Sequence, residues 1–265
     1  MKFETAGNKT NPAVIMLNGS FTTGKGLLPM AQPLSDSYYI ILPTYDGHYE
    51  NGGEFTTRAD QAEKIRDYLL QENIRHIALV HGVSMGAEIA LTLAFVLEGS
   101  GIAADRYLFD GGPYFAFPKE FRSVMQKKFI GLLRLTQQGS TEELMARFAS
   151  HKLTQRIVQG DLTPYRSMIE DIALAVPYMS EASICRESDA CYTFDFPAIP
   201  KAEQKKFLFT WSDNEPAYKC KEKIKKTYPH AKFCYVKGLG HCGLLCRKPE
   251  TYLRLLRKLA SEKVS

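Results

Sequence analysis

A serine with a glycine two residues away on either side can act as a nucleophile when a strand runs into it and a helix leaves it. Gly82-Val83-Ser84-Met85-Gly86 has that arrangement, with the apolar run Ile77-Ala78-Leu79-Val80 before it and an Ala- and Leu-rich run, Ile89 to Leu97, after it. This is the pattern of a nucleophile elbow. The turn is tight enough to hold the serine in a strained conformation, and a side chain at 82 or 86 would meet neighbouring backbone. The helix that starts there aims unpaired N–H groups and its positive dipole end at the hydroxyl. A serine hydroxyl alone is a poor nucleophile, so a base must take its proton and a third group must hold that base. His241 is placed for this role, past the last apolar strand run and before the terminal helix, in a loop bracketed by Gly238, Gly240 and Gly243. His48, His76, His151 and His230 lack such a setting. His81 closes the elbow strand and is expected to pack or hydrogen-bond beneath the turn.

The elements that must position these residues alternate in the first half of the chain. Lys2 to Ala6 predicts a short edge strand, and Ala13-Val14-Ile15-Met16-Leu17 and Tyr38 to Leu42 predict buried parallel strands, the latter stopped by Pro43. Between them lie the small and polar loop Asn18 to Gly24 and a helix over 25–34 limited by Pro29 and Pro33. Apolar residues at 55, 59, 62, 65 and 69 predict a helix from Phe55 to Asn73. Arg106 to Phe109 predicts a strand ending at Asp110-Gly111-Gly112-Pro113. From Tyr114 to Pro200 the alternation gives way to helical patterns alone, over 119–135, 141–149 and 165–179. Strands return at 206–211 and 231–236, separated by a charged helix over 217–226, and the last helix starts near Pro249. The reading is an α/β chain with core 1–113 and 201–265 and a helical cap, 114–200, inserted over the C-terminal edge of the sheet. Aromatic and Met residues of the insertion (Phe115, Phe117, Met125, Tyr165, Met168 and Tyr178, with Met179) are expected mostly to pack, with some facing Ser84.

Composition excludes several classes. With 265 residues, 45% hydrophobic and 24% charged, the chain suits one large globular unit. Its formal net charge of +5 is concentrated in 201–226 and the last helix, with few aromatics interleaved, so these are read as solvated faces and not a nucleic-acid footprint. No stretch approaches the roughly 20 apolar residues of a membrane span. Met1-Lys2-Phe3-Glu4-Thr5 has no apolar leader segment, and a cytoplasmic location is expected. All six cysteines (Cys185, Cys191, Cys220, Cys234, Cys242, Cys246) are then expected to be thiols. His241, Cys242 and Cys246 lie close in sequence, but there is no Cys-x-x-Cys pair and no second histidine at ligand spacing, so no metal is expected.

A serine elbow, a helical insertion, an acid after a strand and a histidine before the terminal helix together resemble the α/β-hydrolase fold family, over about residues 13 to 262. Leu17-Asn18-Gly19 is similar to the family's His-Gly oxyanion loop, with Asn18 where histidine is usual. Leu42 to His48 resembles its turn after the third strand without the leading acid, Gly82 to Gly86 matches the elbow, and Gly240-His241 matches the histidine loop. The resemblance implies a mostly parallel sheet with helices on both faces. It also implies an acid partner for His241. Laid on the family's Gly-x-x-Asp-Pro context, Ser212-Asp213-Asn214-Glu215-Pro216 selects Glu215; Asp213 is the rival and Asp110, after the preceding strand, a third candidate. Backbone N–H groups of Met85 and of Ser20 or Phe21 are the implied oxyanion donors.

The expected activity is that of a serine hydrolase acting on a small to medium carboxylic ester or thioester, with no metal or organic cofactor. The alternative is a family member that binds a small molecule beneath the cap without turnover, since the fold also hosts non-catalytic binders. Substrate identity and oligomeric state are not legible in the sequence.

Overall fold

The computed structural model describes residues 1–134 and 141–262. Its strands are β1 (Lys2–Ala6), β2 (Ala13–Leu17), β3 (Tyr39–Thr44), β4 (His76–Val83), β5 (Ala103–Asp110), β6 (Phe207–Ser212) and β7 (Lys232–Val236). They form one seven-stranded sheet in the order β1-β3-β2-β4-β5-β6-β7, with β1 antiparallel to β3 and every other pair parallel. β2, β3 and most of β4 are buried along their whole length, as continuous apolar runs covered on both faces should be. After β3 the chain crosses to the far side of β2, so a crevice opens at the C-terminal ends of β2 and β4, where an open α/β sheet binds ligands.

The helices in chain order are α1 (Leu28–Ala31), α2 (Arg58–Gln71), α3 (Met85–Leu97), α4 (Lys119–Arg134), α5 (Thr141–Ser150), α6 (Lys152–Val158), α7 (Arg166–Ala175), α8 (Glu181–Tyr192), α9 (Lys201–Gln204), α10 (Lys221–Thr227), α11 (Gly243–Arg247) and α12 (Pro249–Ser261). α2 starts later than its apolar periodicity suggested because the Thr57 hydroxyl caps it, accepting from the Asp60 N–H. The helix expected over 25–34 is broken into 3₁₀ turns flanking α1, each break falling at Pro29 or Pro33. β3 runs past Pro43 to Thr44; its pairing with β2 ends at Ile41, so no parallel rung beyond it needs the missing N–H. The helix expected over 165–179 is α7, ended by a 3₁₀ turn at Val176–Tyr178 that contains Pro177. α4 follows the 119–135 expectation, whose final residue, Leu135, lies outside the described residues.

Two apolar clusters, one on each face of the sheet, make the core. One joins β4 and β5 to α2, α3 and the aromatic ladder Phe207, Phe209 and Trp211; the other joins the opposite face to α12 and to residues of α7 and α8. No described helix is long and apolar enough to cross a membrane.

Candidate active site

Ser84 sits between the last residue of β4 and the first of α3 with φ 56° and ψ −124°, a conformation that L-residues avoid and that costs on the order of 1–3 kcal/mol. The glycines allow it. A Cβ at Gly82 would lie 2.2 Å from the Gly86 carbonyl oxygen, and one at Gly86 2.3 Å from the Leu17 carbonyl oxygen. The Ser84 N–H donates to the Asp110 carbonyl (2.8 Å), which ties the elbow to the end of β5.

His241 arrives from the other side, in the loop between β7 and α11. Its Nε2 is 3.0 Å from Ser84 Oγ, and its Nδ1 is 2.5 Å from Glu215 Oε2. Burial works against a charged ring here, but Cys242 beside it and the Glu215 carboxylate outweigh that cost and raise the His241 pKa well above the ordinary 6.5. Glu215 is buried, and its second oxygen accepts the Ser212 N–H (2.6 Å). Pro216 then opens a 3₁₀ turn.

The other two carboxylates considered for this position face elsewhere. Asp213 is exposed and accepts the Gly238 N–H (2.8 Å). Asp110 is buried, with its oxygens taken by the hydroxyls of Thr210 (2.6 Å) and Tyr252 (2.9 Å). Burial, aided by the nearby Glu215 charge, pushes Asp110 up to about 6. His81, wholly buried, has Nε2 2.7 Å from the Tyr252 hydroxyl, as expected for a residue beneath the turn; burial depresses it to about 3.

The loop after β2 lies against the serine, since a Cβ at Gly19 would be 3.3 Å from Ser84 Cβ. Asn18 Nδ2 closes this loop on the Thr22 carbonyl (2.5 Å). The amides named for an oxyanion differ in availability. Met85 N–H is the first of α3 and has no carbonyl within its helix to bond. Ser20 N–H has no acceptor among the described residues. Phe21 N–H is already committed, donating 3.0 Å to Glu187 Oε2, so it is not a free donor.

A cavity of about 440 Å³ opens beside Ser84 and His241. Residues from the 114–200 segment, among them Phe115, Phe129, Phe148, Tyr165 and Met168, form much of its wall. Phe117, Met125, Tyr178 and Met179 do not line it, and Tyr178 is largely exposed. No Lys or Arg is among the described residues of the wall. The six cysteines are unpaired, and no group of three or more His, Cys, Asp or Glu among the described residues could hold a metal ion.

Two carboxylates near the site escaped the sequence reading, Glu187 on α8 and Asp171 on α7, both buried and both bonded to the loop after β2. Glu187 also meets His48, whose ring had looked unplaced. A faint signal existed. Glu187 falls on the stripe of α8 shared by Ser183, Ile184 and Ala190, where an unpaired charge would not be tolerated.

No protein-family model and no curated protein matches the chain. Solved structures do. An alpha/beta hydrolase enzyme from a Medee basin deep-sea metagenome library superimposes with a TM-score of 0.73 at 14% identity, covering 100% of this chain and 95% of that one. An esterase from Exiguobacterium antarcticum gives 0.71 at 15% identity, covering 98% and 95%. An enol-lactonase from Burkholderia xenovorans LB400 gives 0.71 at 13% identity, covering 98% and 96%. With near-complete overlap on both sides, and a mostly parallel seven-stranded sheet flanked by helices, the chain has the α/β-hydrolase fold.

Proposed function

We propose that this chain is a serine hydrolase that cleaves a carboxylic ester or thioester of small to medium size through an acyl-enzyme. The observation that carries the reading is the hydrogen-bonded line from Ser84 Oγ through His241 to Glu215, at 3.0 and 2.5 Å, set at a strained strand-to-helix turn. Structural neighbours that are themselves esterases and hydrolases support it.

In this reading His241 Nε2 takes the Ser84 proton as Oγ adds to the substrate carbonyl. Glu215 keeps the other ring proton on Nδ1 and stabilises the imidazolium. The developing oxyanion lies between the N–H groups of Met85 and Ser20, each such donor contributing on the order of 3 kcal/mol to the transition state. Collapse expels the alcohol or thiol with the proton returned by His241, and water then resolves the acyl-enzyme by the same route. The steps use this chain's own residues and water.

Residues 114–200 serve as the cap and 1–113 with 201–265 as the core. The cap supplies an apolar wall, so an uncharged acyl group suits the cavity, whereas a carboxylate in the acyl chain would be buried without a cation to meet it.

A fluorophosphonate probe tests the nucleophile. The wild type should be labelled and should hydrolyse p-nitrophenyl butyrate; Ser84→Ala should not be labelled and should retain about one part in 10³ or less of the activity. An unlabelled, inactive wild type would leave the fold as a small-molecule binder, and a labelled Ser84→Ala would move the nucleophile elsewhere. A p-nitrophenyl hemisuccinate should be the poorer substrate of an equal-length pair.

A further inference from the structure

The loop that carries Ser20 is held from the inserted segment. Glu187 of α8 accepts the Phe21 N–H (3.0 Å), and Asp171 of α7 accepts both the Thr23 N–H (2.7 Å) and the Thr23 hydroxyl (2.6 Å). The fit at the second clamp is close, since a Cβ at Gly26 would come within 2.5 Å of Asp171 Oδ2. Glu187 is wholly buried, and its other oxygen forms an ion pair with His48, which is buried too. His48 Nδ1 faces the Asp46 carbonyl (3.0 Å), an acceptor only, so Nδ1 carries a proton and the carboxylate at Nε2 favours the doubly protonated ring.

Burying a charge pair and placing a phenylalanine at φ 62° both cost free energy. They coincide at one peptide. A trans peptide has its N–H and C=O on opposite sides, so fixing the Phe21 N–H fixes the plane between Ser20 and Phe21. Asn18 and Thr22 close the loop internally, through Asn18 Nδ2 to the Thr22 carbonyl and Thr22 Oγ1 to the Gly19 carbonyl (2.9 Å), so a pull on residues 21 and 23 acts on the whole turn.

We propose that Glu187 and Asp171 are positioning residues, and that the inserted segment sets the shape of the oxyanion loop as well as covering the cavity. This rests on Ser84 being the nucleophile and on Ser20 N–H receiving the oxyanion. Glu187 acts through the Phe21 peptide and Asp171 through Thr23; neither touches the reacting atoms.

The test compares Glu187→Leu, Glu187→Gln and Thr23→Val with the wild type, in three readouts. These are kcat and KM on p-nitrophenyl butyrate, the Ki of an alkyl boronic acid that forms a tetrahedral adduct on a catalytic serine, and amide hydrogen exchange over 18–24. Glu187→Leu should lower kcat and weaken boronate binding together, by about 10- to 100-fold, with KM within about twofold. Glu187→Gln retains an acceptor for the Phe21 N–H and should recover most of the loss. Thr23→Val, which should fold even where Glu187→Leu does not, should lose about three- to tenfold in both kcat and boronate affinity. A purely structural role would lower the melting temperature and leave kcat and boronate affinity at wild-type values, and that result overturns the proposal. A wild type inert to fluorophosphonate defeats the hydrolase reading instead. The exchange data then decide the clamp alone: faster exchange over 18–24 in Glu187→Leu supports it, and unchanged exchange removes it.

Discussion

Asp110 and Glu215 are buried carboxylates at the ends of neighbouring strands, β5 and β6, yet their surroundings give them opposite uses. Asp110 spends both oxygens on hydroxyls, Thr210 and Tyr252, so it links α12 to the sheet. Glu215 spends one oxygen on the Ser212 N–H of its own turn and leaves the other for His241 Nδ1. The difference lies in reach. Asp110 is the last residue of its strand and its short side chain stays at the sheet, whereas Glu215 lies three residues beyond β6 with one more methylene. A buried carboxylate becomes a histidine's partner when its backbone has left the sheet, and burial alone does not make it one.

The comparison breaks first at Glu215. Glu215→Gln should lower kcat by about 10³- to 10⁴-fold, because an amide does not hold the ring tautomer or stabilise the imidazolium. Since the Glu215 charge helps raise the His241 pKa and only the neutral ring can accept the Ser84 proton, kcat/KM should rise with pH through a limb above the ordinary 6.5. That limb should move to lower pH in Glu215→Gln. A pH–rate profile and single-turnover kinetics measure both, and near-wild-type turnover in this variant would remove Glu215 from the mechanism.

Asp110→Asn should act on stability instead. The folded pKa of Asp110, about 6, lies above the unfolded 3.8, so its folded state binds the proton more tightly. That contribution is present below about pH 4 and is lost as pH rises through about 6, a change of about 3 kcal/mol. Asn does not titrate, so between about pH 4 and about pH 7 urea unfolding should show the wild type losing stability relative to the variant, whatever the other groups contribute to both. Parallel behaviour of the two proteins would contradict the assignment. Turnover of Asp110→Asn should stay within about threefold of wild type.

Asp213→Asn should have the smallest effect. The substituted amide oxygen can still accept the Gly238 N–H, so activity and stability should remain within about twofold and about 0.5 kcal/mol. A large loss of turnover here, with Glu215→Gln mild, would invert the comparison.

Much of this site was legible because its parts are local. The elbow reads from five consecutive residues, and His241 reads from glycines on both sides of it. Preferring Glu215 to Asp213 came from the resemblance, which lays Pro216 on the proline of the family's Gly-x-x-Asp-Pro context and so selects the residue before it. The availability of Phe21 was not legible, because its amide is claimed by a residue 166 positions away. Helix α8, which carries that residue, escaped the periodicity reading for a related reason. Its buried stripe mixes Ser183, Glu187 and Ser188 with Ile184, so polar residues stand where an apolar face is sought. The broken helices at 25–34 and 165–179 show proline dividing segments that apolar content alone would join.

The turn that carries Glu215 is stitched to the strand-end segment that leads to His241. Asp213 N–H donates to the Val236 carbonyl (3.0 Å), Asn214 N–H to the Leu239 carbonyl (3.2 Å), and Gly238 N–H returns to Asp213 (2.8 Å). The segments bearing Glu215 and His241 are therefore tied to each other. Both walls of the crevice also bond to the inserted segment, the loop after β2 through Glu187 and Asp171, and α11 through Arg247 to the Val158 and Asp161 carbonyls (each 2.9 Å). A change in the turn at 212–216 thus reaches the loop at 238–241 directly, through backbone bonds that do not cross the cavity.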